Sequence, residues 1–278
     1  MAAADYATRI ADAQDSVFKR DPRTADWALV GNKPFLVLLL LTYVYVVKIG
    51  GPRFMKGRKP YDNIKPLIVL YNASMVLLNS YFVVAFLSRT YLGGGYSFIC
   101  QGIDFEVRDD TTMSLLNHCY VYFWVRVFDL LDTVFFVLRK KDSHVSFLHV
   151  AHHVLVVFNG WYGMAYGADG HSAFTIVLNT FVHVIMYAYY MLSLMGPSYR
   201  KYLWWKRYLT QFQMFQFVVL MLHGIIPLFI DCGYPRITIY IGIPQGVFFL
   251  VMFLQFYVKN YSNRKTANEQ NGVRNKFK

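Results

Sequence analysis

The chain has 278 residues, of which 56% are hydrophobic and only 16% charged, whereas soluble domains carry about 25% charged residues. This composition excludes an intrinsically disordered chain, a coiled coil and a small disulfide-stapled secreted module. The net charge of +12 does not indicate nucleic-acid binding, because the basic residues are dispersed among loops and form no contiguous face. The apolar residues fall into blocks of about 20, the length of helix that crosses a bilayer, so we predict a polytopic membrane protein.

Seven apolar blocks are predicted to be transmembrane helices. In chain order they cover residues 34–49, 66–88, 115–138, 146–164, 172–195, 208–230 and 237–258. The opening residues are polar and lack the apolar region of a cleavable signal peptide, so the first block is expected to direct insertion itself. We therefore predict an all-α integral membrane protein with three parts. These are an N-terminal segment (1–33), a seven-span membrane domain (34–258) and a basic tail (259–278).

The distribution of Lys and Arg predicts the orientation in the membrane. Of the 28 Lys and Arg residues, 19 fall in segments on one side, eight fall on the other, and Arg126 lies inside a span. The positive-inside rule places the tail in the cytosol and the N-terminal segment in the lumen. Cys100 and Cys232 both fall in luminal loops, where an oxidising compartment would allow a disulfide, although the sequence leaves their pairing open.

The third block contains three charged residues, Arg126, Asp129 and Asp132. Each charge at the centre of a membrane helix costs about 2.5–3.5 kcal/mol if it is unpaired. Arg126 and Asp129 are three positions apart and share a helical face. Two interpretations stay open: a structural ion pair that holds the helices together, or part of an active site.

The fourth and fifth blocks carry histidines on single helical faces. His149, His152 and His153 stand at i, i+3 and i+4 of the fourth block, so they project from one side of it. The fifth block carries a stripe at i, i+4, i+7, i+8 and i+11, which comprises Asn179, His183, Met186, Tyr187 and Tyr190. Gln213 and Gln216 of the sixth block are weaker evidence, because glutamines in membranes often only join helices.

The depths of these polar groups predict a chamber open to the cytosol. At about 1.5 Å per helical residue, they lie roughly 5–18 Å below the cytosolic face. The luminal half of the same spans consists mostly of Leu, Val, Phe and Met. This arrangement suits a substrate with a charged head in the cytosol and a long apolar tail inside the protein.

Four segments of these spans carry a specific resemblance. In chain order they read R-V-F-D-L-L-D-T (126–133), H-V-A-H-H (149–153), N-T-F-V-H-V-I-M-Y-A-Y-Y (179–190) and T-Q-F-Q-M-F-Q (210–216). They resemble, in order, four motifs of the ELO family of very-long-chain fatty acid elongases. Arg126 and Asp129 stand where the family usually has Lys and Glu. The signs of the charges are kept, but the reach and geometry of both groups differ.

The resemblance implies a fold and an activity. Six of the seven spans would form a barrel around an acyl tunnel. The protein would be the condensing enzyme of elongation in the endoplasmic reticulum membrane, joining long-chain acyl-CoA and malonyl-CoA to give 3-oxoacyl-CoA, CoA and CO2. It would need no cofactor and no metal, and it would work beside the two reductases and the dehydratase of the cycle. Membrane lipid would surround it, and the sequence leaves self-association open.

The residues suggest how this chemistry would be divided. His152 is the expected nucleophile, since the motif faces offer no Cys or Ser, and it would form an acyl-imidazole. Asp132 or its neighbour Asp129 would orient the ring of His152. His183 with Asn179 would polarise a carbonyl or position malonyl-CoA, and His149 and His153 would orient the site or assist proton transfer.

A second set is assigned to substrate binding. It comprises Arg126, Tyr187, Gln213 and Gln216 inside the bundle, and Arg139, Lys140, Lys141, Lys206 and Arg207 at its cytosolic face. The last five would attract the phosphates of CoA. A simple positive-inside bias explains these five residues equally well.

Two other functions compete with condensation. Membrane di-iron desaturases and hydroxylases also use H-x-x-H-H segments, but they need several of them, and this chain has one. A seven-helix receptor would share the predicted orientation, but its ligand pocket would open away from the cytosol. Iron content and oxygen dependence distinguish the first alternative, and ligand-dependent signalling distinguishes the second.

Overall fold

A computed structural model describes residues 20–262 of the chain. Residues 1–19 of the predicted N-terminal segment and residues 263–278 of the predicted tail lie outside the described residues. From residue 20 to residue 262 the chain forms helices and connecting segments, with no strand. The predicted class, a helical integral membrane protein, is confirmed.

Seven main helices correspond to the seven predicted blocks. They are α1 (Lys33–Tyr45), α2 (Lys65–Arg89), α3 (Asp110–Phe128 and, after a break at Asp129, Leu130–Leu138), α4 (Phe147–Tyr166), α5 (Ala173–Leu194), α6 (Lys206–Gly224) and α7 (Arg236–Tyr257). The chain extends α1 through a π turn (Val46–Gly50) and a last α turn (Gly51–Met55). Within residues 20–262, five of the seven (α1, α2, α5, α6 and α7) are long and apolar enough to cross a membrane. The other two carry the charged residues and the histidine motif, whose polar groups lower their average hydropathy.

Side-chain caps fix where several of these helices begin. The side chain of Asn32 accepts a hydrogen bond from the N–H of Phe35 (3.0 Å) at the start of α1. Asp109 accepts one from the N–H of Thr112 (2.7 Å) at the start of α3, and this bond lowers the pKa of Asp109. Ser146 accepts one from the N–H of His149 (3.2 Å). The first turn of α4, which carries the histidine motif, is thereby anchored to the preceding loop.

Six helices form a closed ring. Each packs against the next in the order α2, α3, α4, α7, α6 and α5, and α5 packs against α2 to close the ring. Helix α1 lies outside this ring, and its last turns pack against the second half of α3. The six-helix barrel expected from the resemblance agrees with this order of neighbours.

One end of the ring, called here the disulfide end, is formed by the α2–α3 and α6–α7 connections and by residues 20–32. Cys100 and Cys232 form a disulfide between the two connections, with Cα atoms 5.9 Å apart. Residues 20–32 lie across the ends of α3 and α4, where the indole N–H of Trp161 donates to the carbonyl of Val30 (3.2 Å). The opposite end, formed by the α1–α2, α3–α4 and α5–α6 connections, is called the histidine end.

A buried ion cluster ties residues 20–32 to the disulfide end. The guanidinium of Arg23 lies 2.7 Å from Asp21 and 2.9 Å from Asp169, and all three side chains are almost fully buried. Burial alone would lower the pKa of Arg23, but its bonds to the two carboxylates outweigh burial and raise that pKa. Arg23 is therefore a permanent cation between two buried acids.

We expect Arg23→Leu to lower the free energy of unfolding by about 3–5 kcal/mol, because it leaves Asp21 and Asp169 buried without their cation. Thermal unfolding of the detergent-purified protein measures this loss. Lys33→Ala is the matched control, because it removes one positive charge at an exposed position. Equal melting temperatures for both variants would contradict a stabilising role for Arg23.

Candidate active site

The break in α3 places its three charged residues inside the ring. Arg126, Asp129 and Asp132 are 1%, 3% and 8% exposed. Arg126 Nη1 lies 3.0 Å from Asp129 Oδ2, so the two residues form the ion pair that their spacing predicted. This pair also contacts the histidine of α5. The ion pair is therefore part of the same network as a motif histidine.

Arg126 contacts both ring nitrogens of that histidine, His183. Arg126 Nη1 lies 2.5 Å from Nδ1 of His183 and 3.4 Å from Nε2. A guanidinium can only donate hydrogen bonds, so a bond to Nδ1 requires the tautomer of His183 that carries its hydrogen on Nε2. In that tautomer, Nε2 is a donor.

Asn79 of α2 is a site residue that the sequence analysis did not identify. Its Oδ1 accepts from Arg126 Nη2 (2.8 Å), while its Nδ2 donates to the carbonyl of Met75 (2.7 Å). Its side chain is fully buried. Asn72 and Asn79, two turns apart within an apolar span, were a signal that could have indicated a polar face on α2.

Tyr187 of α5 contacts the two acids of α3. Its hydroxyl lies 2.9 Å from Asp129 and 2.8 Å from Asp132, and the side chain is fully buried. A hydroxyl has one hydrogen to donate, so both contacts are hydrogen bonds only when one carboxyl carries a proton. Tyr187 thus supports the two acids, and its assignment to substrate binding stays a prediction.

Asp132 contacts a residue other than His152, its expected partner. Asp132 forms its hydrogen bond with Tyr187, and no bond between Asp132 and His152 is present within residues 20–262. Helix α3 turns Asp132 toward α5, whereas the ring of His152 packs 5.2 Å from that of Phe249 on α7.

The three motif histidines of α4 differ in their surroundings. His149 Nε2 lies 2.9 Å from the hydroxyl of Thr133 on α3. The ring of His153 packs 4.4 Å from that of His149 and is 8% exposed. His152 is half-buried, and its ring nitrogens form no hydrogen bond with any residue of the described chain. Of the two half-buried motif histidines, His149 and His152, only His152 therefore has both ring nitrogens without a protein partner in residues 20–262.

The charge of Arg126 connects these groups. Arg126 lies close enough to His152, His153 and His183 for its charge to act on all three rings. Its guanidinium also stacks over the ring of Tyr122, 4.9 Å from the centroid. The hydroxyl of Tyr122 in turn donates to Asn179 (2.9 Å). The structure thus brings Asn179 into the network around His183.

Two glutamines of α6 contact the neighbouring helices. Gln213 Nε2 lies 3.5 Å from the sulfur of Met186, and Gln216 is 4% exposed. Gln211, which the sequence analysis did not select, donates to the hydroxyl of Tyr257 (2.9 Å). The structure therefore places Gln213 against α5 and Gln211 against α7.

The five predicted phosphate-binding residues divide into two groups at the histidine end. Arg139 lies 3.5 Å from Asp62, and Arg207 donates to Tyr257 (2.6 Å), so both have protein partners. The remaining three are Lys140, Lys141 and Lys206. Burial lowers the pKa of His144, and the charges of Lys206 and Lys141 lower it further. Both lysines therefore lie near enough to His144 for their charges to reach its ring.

The di-iron alternative gains no support from this geometry. A site of that kind needs clustered ligands, and no group of three or more His, Cys, Asp or Glu suited to a metal ion occurs between residues 20 and 262. His118 instead pairs with Tyr81 (2.9 Å), and His171 stacks on His223 with ring centroids 4.0 Å apart.

Comparison with known proteins agrees with the motif resemblance. The model of the ELO (GNS1/SUR4) family matches residues 28–269. Very long chain fatty acid elongase 7 of Rattus norvegicus is 39% identical over 265 residues, which cover 94% of this chain and 93% of the relative. A very long chain fatty acid elongase of Aedes aegypti is 43% identical over 88% of this chain and 68% of its own length.

A further relative is also named as a very long chain fatty acid elongase. Very long chain fatty acid elongase 4 of Homo sapiens is 38% identical over 88% of this chain and 77% of its own length. The family model covers the whole ring of six helices as well as the four motifs. The chain belongs to the ELO (GNS1/SUR4) family of very long chain fatty acid elongases.

Proposed function

We propose that the protein is the condensing enzyme of very-long-chain fatty acid elongation, an acyltransferase that makes 3-oxoacyl-CoA. The observation that carries this proposal is the difference between two motif histidines. His152 is half-buried and its ring nitrogens bond to no residue of the described chain, whereas Arg126 contacts His183 at Nδ1, which favours a hydrogen on Nε2. Acyl transfer requires a nucleophile and a donor for the oxygen that becomes negative, and these two histidines could supply them.

In the first step, a ring nitrogen of His152 attacks the thioester carbonyl of acyl-CoA. The new C–N bond replaces the C–S bond, and the ring proton of His152 passes to the departing thiolate. The products are an acyl-imidazole and free CoA. The donor of His183 would stabilise the negative oxygen that develops on the carbonyl.

In the second step, malonyl-CoA loses CO2, and its enolate carbon attacks the acyl-imidazole. A C–C bond forms, the C–N bond breaks, and His152 recovers a proton from water. The enolate and the second tetrahedral intermediate again place negative charge on oxygen. The Nε2–H of His183 and the nearby charge of Arg126 suit both stages.

The proposal also covers the orientation of the protein in the membrane and its location in the cell. The histidine end would face the cytosol of the endoplasmic reticulum membrane, the disulfide end would face the lumen, and the acyl chain would lie within the six-helix ring. The acyl-CoA and malonyl-CoA substrates would enter from the cytosol. The product would pass to the reductase, dehydratase and second reductase of the cycle.

The test uses the full-length protein, purified in detergent away from other elongation enzymes. It is incubated with radiolabelled malonyl-CoA and acyl-CoAs of increasing length, without NADPH or added metal. We expect labelled 3-oxoacyl-CoA and an equal amount of CO2. No labelled product at any chain length would overturn the proposal. Desaturation in a parallel reaction that is supplied with iron, oxygen and a reductant would then favour the di-iron alternative.

We expect Lys141→Ala with Lys206→Ala to raise the KM for malonyl-CoA by about 30-fold, because each lysine would contribute about 1 kcal/mol to phosphate binding. The increase should shrink at high salt. Lys59→Ala, an exposed change at the same end, serves as control and should leave KM unchanged. An unchanged KM in the double variant would leave the lysines as topology signals only.

A further inference from the structure

Helix α1 lies outside the ring, yet one of its side chains reaches the histidine motif. Tyr43 is 6% exposed, and its hydroxyl lies 2.8 Å from the hydroxyl of Thr133 on α3. Thr133 is fully buried and lies 2.9 Å from Nε2 of His149 on α4. The three residues form a continuous hydrogen-bonded chain from α1 through α3 to α4.

The backbone of α1 is adapted to bring Tyr43 to this position. A Cβ on Gly51 would lie 2.7 Å from the side chain of Val137 on α3, so only glycine allows this close approach. The π turn Val46–Gly50 lies between Tyr43 and this contact. Turns of this type change the rotation of a helix and are frequent near functional sites.

A second contact joins α1 to the loop that precedes the histidine motif. Lys48 Nζ donates to the carbonyl of Val145 (2.8 Å). The next residue, Ser146, caps α4 through the N–H of His149 (3.2 Å). Helix α1 therefore contacts the backbone just before α4 and also reaches the side chain of His149 through the hydrogen-bonded chain.

We propose that Tyr43 is a positioning residue of the active site, which fixes the ring of His149 through Thr133. This inference rests on the proposed condensation reaction. Whichever of the two hydroxyls donates to the other, Thr133 is the middle group of the hydrogen-bonded chain. Loss of the Tyr43 hydroxyl therefore frees the Thr133 hydroxyl to rotate away from His149. The ring of His149 packs 4.4 Å from that of His153, which itself lies 5.6 Å from that of His152. An unfixed His149 would thus disturb the rings around the nucleophile.

The test compares Tyr43→Phe with Tyr45→Phe. Tyr45 lies on the same helix, is 53% exposed, and its hydroxyl makes no hydrogen bond within the described chain. We expect Tyr43→Phe to lower kcat by about 10-fold, as for loss of one buried hydrogen bond, with little change in the KM for malonyl-CoA. Tyr45→Phe should equal the wild type.

Two variants of Thr133 separate positioning from general stability. Thr133→Val should lower kcat at least as much as Tyr43→Phe, and adding Tyr43→Phe to it should cost no more than about two-fold. Thr133→Ser, which keeps the hydroxyl, should retain most of the activity. A lower melting temperature with unchanged kcat, or full additivity of the two losses, would overturn the proposal.

A measurement without turnover keeps this inference separate from the proposed function. Diethyl pyrocarbonate modifies accessible imidazole nitrogens, and peptide mass spectrometry reports its rate at His149. We expect that rate to rise several-fold in Tyr43→Phe and Thr133→Val, but not in Tyr45→Phe. Unchanged rates in both variants would overturn the relay even if condensation is shown. Raised rates without any condensation would count against the proposed function alone.

Discussion

Replacing His152 with alanine is expected to lower condensation by about 1,000-fold or more, because the reaction loses its nucleophile. The same change should abolish the release of CoA from acyl-CoA in the absence of malonyl-CoA, which reports the first step alone. Both reactions are followed with purified protein, the first by labelled product and the second by a thiol reagent. Mass spectrometry of the quenched wild type should find the acyl group on the peptide that contains His152.

The control is another histidine within a membrane helix. His118 lies on α3, where its ring contacts Tyr81 and the carbonyl of Ser114, away from the motif histidines. His118→Ala should keep near-normal rates of both reactions. CoA release that persists in His152→Ala, or an acyl group found on a different histidine, would contradict the assignment of the nucleophile.

Replacing Arg126 with leucine is expected to abolish activity and to lower the free energy of unfolding by about 3–5 kcal/mol, because Asp129 would remain buried without its partner. Adding Asp129→Leu should recover much of the lost stability, since it removes the unpaired charge. It should recover no activity, because His183 would still lack the donor that sets its tautomer. Thermal unfolding and the condensation assay measure the two effects separately.

The Lys and Glu usual in the family provide a milder version of this test. Arg126→Lys keeps the positive charge but replaces the forked guanidinium with a single nitrogen. In the wild type, the guanidinium of Arg126 contacts Asn79, Asp129 and His183 together. We expect this variant to fold and to lose about 10-fold or more in kcat. Adding Asp129→Glu restores the usual pair and should recover part of the loss. Wild-type activity in Arg126→Lys alone would contradict the need for a forked donor.

The positions of the helices could be predicted closely from the sequence. The block predicted at 66–88 is the helix Lys65–Arg89 in the structure, and the block predicted at 172–195 is the helix Ala173–Leu194. A membrane helix must satisfy its backbone hydrogen bonds internally and match the thickness of the bilayer. Both demands act within one segment, so they are visible in the local sequence.

Partners between helices were less predictable. The sequence suggested a substrate role for Tyr187 and a bond between Asp132 and His152, whereas Tyr187 bonds to Asp132 in the structure. Asn79 and Tyr43 were not predicted, because they contact the motifs from helices that carry none of them. Such contacts depend on how each helix is rotated and how closely it approaches its neighbour.

Residue types and their spacing by themselves determined the fold class, the seven helices and the faces that carry Arg126, Asp129 and the four motif histidines. Only the tertiary structure decided that Arg126 contacts His183, that Thr133 contacts His149, and that Cys100 pairs with Cys232. Helical periodicity is a property of one segment and can be read from it. A hydrogen-bond partner more than 40 residues away, such as Asn79 for Arg126, depends on packing between helices that no single segment encodes.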